Sequence, residues 1–91
     1  MLLLVEIDLA NADLALFESY EARVLPLLPN HRATLVERLR AFDGRSETHL
    51  IDFPDADSLT AFRADPVRIA AQTLWASCRA SAMSKEVTRL K

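Results

Sequence analysis

The chain has 91 residues, with 11 Lys and Arg against 13 Asp and Glu and a formal net charge of −2. That length admits one domain, residues 1–91, and excludes two, so any site is built on a single core or shared between subunits. Charges of both signs are scattered rather than blocked, which excludes the electrostatic footprint of a nucleic-acid-binding protein.

Cys78 is the only cysteine. It excludes an intrachain disulfide and a multi-cysteine metal cluster and fits a reducing cytoplasm. A single glycine excludes the glycine-rich phosphate loops of dinucleotide and P-loop sites.

Taken in chain order, Met1 to Val5 is apolar but lacks a basic flank. It meets Glu6 and Asp8 too soon for export or membrane spanning. Alternation over Leu2 to Leu9 predicts a strand with Leu3, Val5, Ile7 and Leu9 on one face and Leu2, Leu4, Glu6 and Asp8 on the other. Asn11 or Asp13 then caps a helix whose apolar stripe runs Leu14, Phe17, Val24 and Leu28. Pro26 and Pro29 remove backbone donors, so the regular helix ends or kinks near Leu25.

A second strand is expected over Ala33 to Phe42, with Leu35, Glu37, Leu39 and Ala41 on one side and Val36, Arg38, Arg40 and Phe42 on the other. Asp43-Gly44 makes a hairpin turn into a third strand, Glu47 to Phe53. Pro54 stops it, and Asp55 or Asp57 caps a short helix with Leu59 and Phe62. Asp65-Pro66 restarts the helix, with the proline at the first helical position, where its missing donor costs nothing. The stripe Val67, Ala70, Ala71, Leu74, Trp75 and Cys78 is the clearest helical periodicity in the sequence. Met83 to Leu90 is the fourth strand.

These elements predict an α+β chain of βαββαβ order, a four-stranded antiparallel sheet with two helices on one face. Two helices cover only one side of the sheet, the side bearing Leu3, Val5, Ile7, Leu9, Ile51 and Phe53. The other side keeps Leu2, Leu4, Val36 and Leu50. Burying four such side chains against a second subunit contributes roughly 6 to 12 kcal/mol before the ordering cost of association, which predicts a homodimer through the sheet face. A chain this short buries only roughly 60 to 65% of its unfolded surface alone, which points the same way. The same face is expected to carry Glu6, Asp8, Asp52, Arg38 and Arg40, held in salt bridges or a hydrated pocket.

With this element order, the stretch HLIDFPDADSLTAFRADP, His49 to Pro66, resembles the dimeric α+β-barrel superfamily of ferredoxin-like proteins. It is similar to the small uncharacterised bacterial members with Phe-Pro after the third strand and Asp-Pro or Ser-Pro in the second helix. The resemblance implies a face-to-face sheet dimer with a cavity between sheet and helices or near the interface. Relatives of that superfamily include cofactor-free monooxygenases, haem-degrading enzymes, lactone isomerases, polyketide cyclases and simple binding proteins, so the fold leaves the function open. Haem-degrading members place an Asn on strand 1, where this chain has Glu6 and Asp8.

Glu6, Asp52 and Arg38 are candidates for a polar constellation in which a desolvated carboxylate acts as base and Arg38 orients an anionic ligand. Read structurally, they are ion pairs that fix strand register and dimer pairing. His49, on the parity of Ile51 and Phe53, points toward the helices, where it is either a proton-transfer group or a hydrogen-bonded core histidine. No second His, Cys or carboxylate is recognised at ligand spacing from it, so neither a metal nor a cofactor is expected. His31 reads as a solvated turn residue. Trp75 lines a pocket for a flat ligand or fills the core, and Cys78 reads as a small buried hydrophobe.

Two functional classes follow. One is a homodimeric protein binding a small organic ligand; the other is a cofactor-independent isomerase, cyclase or monooxygenase for a small aromatic or lactone-like metabolite. RNA binding on strand aromatics is disfavoured, because Phe53 is the only aromatic on strands 1 and 3 and faces the helices.

Overall fold

The alternating segment after Met1 folds as β1 (Leu2–Asp8) in a computed structural model that describes residues 1–90. β1 lies inside the sheet, antiparallel to both β3 (Ser46–Asp52) and β4 (Ser81–Val87). β2 (Thr34–Arg40) pairs with β3 across the Gly44 turn, giving the order β2-β3-β1-β4. Gly44 sits at φ +74, a conformation that a side chain disfavours. The fourth strand starts two residues earlier than the alternation of Met83 to Leu90 predicts.

α1 (Leu14–Val24) is capped by Asp13, whose side chain accepts a hydrogen bond from Leu16 N. It buries Phe17, Tyr20, Glu21 and Val24, whereas Leu14 at the expected start of the stripe is exposed. Pro26 and Pro29 are accommodated in a 3-10 helix, Leu25–His31, which tucks Leu27 and Leu28 into the core.

α2 (Ala56–Arg63) is capped by Asp55, and α3 (Pro66–Ala70) by Asp65 with Pro66 at the first helical turn. The continuous helix expected from Val67 to Cys78 is broken at Ala71. Its N–H is shared by the carbonyls of Val67 and Arg68, and Leu74 N returns to Ala71 O, a local tightening that ends α3 and starts α4 (Gln72–Cys78).

All helices lie on the side of the sheet that carries Leu3, Val5 and Ile7. Phe17, Phe53, Leu28 and Cys78 are the most deeply buried side chains there, and Phe53 meets Phe62 with ring centroids 5.8 Å apart. The opposite side holds Leu2, Leu4, Leu39, Leu50 and Met83, and with them Glu6, Asp8, Glu37, Asp52 and Lys85.

The facing of β2 differs from the expectation. Leu35 stands opposite Ile51, but the next registered pair is Glu37 with Leu50, so Val36 is an extra residue in a β-bulge. One inserted residue reverses side-chain parity downstream. Arg38 and Arg40 therefore face the helices, opposite His49 and Glu47, while Glu37 and Leu39 take the open face. The expected ion pairing of Arg38 with Glu6 and Asp52 on the open face does not form.

No helix among the described residues is long and apolar enough to cross a membrane.

Candidate functional site

The bulge in β2 and the periodicity of α1 bring six ionisable side chains together on the helix side. His49 and Glu47 are two residues apart on β3 and share that face. The Glu47 carboxylate is 2% exposed and accepts on both oxygens. Oε2 lies 2.5 Å from His49 Nε2 and 3.1 Å from Arg38 Nε; Oε1 accepts from Arg40 Nε at 2.8 Å and Nη2 at 2.6 Å. Because its partner is a carboxylate, His49 Nε2 is assigned the proton. Glu18 on α1 closes the outer side of the cluster, 2.6 Å from Arg40 and 3.3 Å from Arg38. Arg40 also lies over the Phe17 ring, 5.9 Å from its centroid.

Burial would raise the Glu47 carboxyl, but hydrogen bonds from His49, Arg40 and Arg38 outweigh it and hold the group below its ordinary value. Glu47 is a satisfied anion.

Glu21, one helical turn from Phe17, is its opposite. It is only 4% exposed, and among the described residues its side chain has neither a hydrogen bond nor an ion pair. Burial, reinforced by the negative charges of Glu47 and Glu18 and opposed by Arg38 and Arg40, pushes its carboxyl up to about 7. The site thus holds one carboxylate fixed in its charged form and another that exchanges a proton near neutrality.

Glu21 and His49 border a cavity of about 460 Å³ between the sheet and the helices. Leu3, Val5 and Ile51 form its floor, Tyr20 and Trp75 an aromatic wall with ring centroids 5.1 Å apart. Burial raises the Tyr20 phenol; the charges of Arg68 and Glu21 pull it in opposite directions. Arg63, Arg68 and Gln72 add polar lining, and β4 borders the opening through Ala82 and Ser84, which the helices leave exposed. Such a volume suits a small organic ligand.

Glu21, Glu47 and His49 each offer a ligand atom within 4.8 Å of the others. Two carboxylates therefore stand at ligand spacing from His49, contrary to the sequence reading. As a metal site the donor set fits poorly, because both Glu47 oxygens and His49 Nε2 are committed to one another and to two guanidinium groups that repel a cation. Only Glu21 is uncommitted.

The structure brings His49 and Trp75 to the cavity. Glu6 and Asp52 stand on the open face, where Asp52 is 3.5 Å from the terminal amine of Met1. Arg38, expected to orient a ligand, lies outside the cavity lining and is occupied by Glu47 and Glu18. His31 is not a solvated turn residue: it is half-buried, 2.8 Å from Asp65 and edge-on to Phe62. Cys78 is fully buried, as expected.

Sequence reasoning passed over Tyr20, Glu21 and Glu47. The first two lie three and four residues from Phe17, the spacing that keeps a helical face, and Glu47 has the same strand parity as His49.

No family model matches the chain, and no curated protein is similar to it in sequence. Solved structures do share its architecture. SnoaB, a cofactor-independent oxygenase from Streptomyces nogalater, superposes with a TM-score of 0.69 at 21% identity, over 98% of this chain and 94% of that one. A dimeric ferredoxin-like protein of unknown function from Jannaschia sp. CCS1 gives 0.67 at 20% identity, over 96% and 100%. Rv0793 from Mycobacterium tuberculosis gives 0.65 at 7% identity, over 98% and 96%. Strand order, helix placement and these superpositions agree, and the chain has the ferredoxin-like α+β fold found in the dimeric proteins that its sequence resembles.

Proposed function

We propose that this chain binds a small, flat, largely apolar organic molecule bearing a weakly acidic hydroxyl or C–H group in the cavity between sheet and helices. The observation that carries the reading is Glu21, a buried carboxyl with no hydrogen bond or ion pair among the described residues, bordering a largely apolar space. A buried polar group without a partner is costly. A ligand that donates to Glu21 removes that cost, while Tyr20 and Trp75 take its ring.

The protein works as a homodimer in this reading, through the open face that holds Leu2, Leu4 and Leu50. The dimeric Jannaschia relative supports this assembly.

A second reading, a cofactor-independent enzyme, is favoured by the position of the Glu21 carboxyl near 7. A base poised there accepts a proton from a bound C–H or O–H group, leaving the electron pair on a conjugated ligand, and returns the proton at another atom. The fold shared with a cofactor-independent oxygenase is compatible with it.

The test is calorimetric titration with flat phenols and lactones, 2-naphthol first, in buffers of different ionisation enthalpy. One saturable site per chain, weakened about tenfold in Glu21→Gln, is expected from replacing a charge-assisted hydrogen bond by a neutral one. Equal affinity of the variant, or no binding across the panel, overturns the reading.

A further inference from the structure

The cavity lining also holds two arginines, whose chemistry is the complement of Glu21. Arg68 on α3 lies over the Phe62 ring, 5.3 Å from the centroid, and its Nη1 donates to Arg63 O at 3.3 Å. Its Nε is shut off from solvent and has no hydrogen-bond partner among the described residues. With Nη1 spent and Nε closed off, no carboxylate among the described residues neutralises the guanidinium, which lies beside Tyr20 in the cavity lining. Its charge is matched to an anionic group on a ligand.

Arg63, also in the lining, reaches across the opening to β4, where Nη2 donates to Ser84 Oγ at 3.3 Å. Among the described residues neither arginine forms an ion pair, although the chain as a whole is acidic. Arg38 and Arg40, by contrast, are both neutralised by Glu18 and Glu47. Tyr20 lies close enough to both Arg68 and Glu21 to feel their opposite charges, and all three line the same cavity.

We propose that the ligand is an organic monocarboxylate whose anionic end pairs with the Arg68 guanidinium, with Arg63 at the opening and the ligand's weakly acidic end toward Glu21. This rests on the cavity being the binding site. It narrows the substrate class from flat molecules in general to hydroxyaryl or enolic carboxylic acids.

The test compares 2-naphthol with 6-hydroxy-2-naphthoate by calorimetry, on the wild-type chain, Arg68→Gln and Arg63→Gln. The carboxylate is expected to bind about ten- to a hundredfold tighter than the naphthol to the wild type, the range of a charge-assisted hydrogen bond. Arg68→Gln should abolish that preference, bringing the two compounds to equal affinity, and Arg63→Gln should reduce it. Equal affinity of the two compounds for the wild type, which needs no variant to fold, overturns the carboxylate assignment and leaves the cavity reading standing. A preference that survives in Arg68→Gln overturns it as well. Binding of neither compound removes both.

Discussion

Replacing Glu21 by glutamine should change how stability depends on pH more than it changes stability at any one pH. In the folded chain the carboxyl holds its proton up to about 7 instead of the ordinary 4.5. The folded state therefore binds more protons than the unfolded chain between those values. Wild-type stability contributed by this group is greatest below 4.5, falls as pH rises through the window, and levels off above 7. At roughly 1.4 kcal/mol per pH unit the whole window is worth about 3 kcal/mol, and about 2.5 kcal/mol of it lies between about pH 5 and pH 8.5. The amide of the Glu21→Gln variant is neutral throughout and carries no such window, whatever fixed offset it imposes. For a domain of this length the wild-type melting temperature should fall relative to the variant by about 10 to 20 °C over that range. Thermal melts by circular dichroism at equal chain concentration measure the difference, in which all other titrating groups cancel. Parallel curves, with one constant offset across the range, would refute the account of Glu21 as a buried, unpaired carboxyl.

Glu47→Gln acts at the other end of the pH scale: its carboxylate, held below the ordinary 4.5, stabilises the fold above that value and loses the effect as pH falls through the lowered one. Near neutrality the variant should lose about 2 kcal/mol in urea unfolding, since Arg38 and Arg40 keep Glu18 and partial solvation. Phe17→Ala, at a position with no exposure, should cost about 3 to 5 kcal/mol by the same assay. On the open face, Leu4→Glu is repeated twice in a two-fold dimer. A loss of about 1.5 to 3 kcal/mol per leucine weakens association by roughly a hundred- to ten-thousandfold, and sedimentation velocity should show a folded monomer. A variant that remains dimeric would move the interface elsewhere.

Strand and helix order was legible because local chemistry dictates it. β1 alternates, Asp13, Asp55 and Asp65 cap their helices, and Gly44 turns the hairpin. Besides the helix break at Ala71, what stayed hidden was set by one non-periodic event and by one overlooked periodicity. The bulge at Val36 has no signal in single-residue alternation, so alternation alone puts Arg38 and Arg40 on the wrong side of the sheet. Glu21 shares the face of Phe17, but a carboxylate in an apolar stripe reads as solvent-facing until its surroundings are known. His49 and Trp75 could be placed from parity and period alone. Their partners could not, because the contact with Glu47 and the stacking near Tyr20 depend on tertiary packing.

The Val36 bulge also makes the two borders of the sheet unequal. β2 and β4 are the outermost strands, and each offers a free row of backbone donors and acceptors to any extended peptide that arrives. On β2 that row is interrupted in its third residue, so an incoming strand loses register there. On β4 it runs without a break over seven residues, against a regular ladder with β1. Of the two borders β4 is therefore the better template for an added strand, and it is the one beside the cavity opening, where Arg63 meets Ser84.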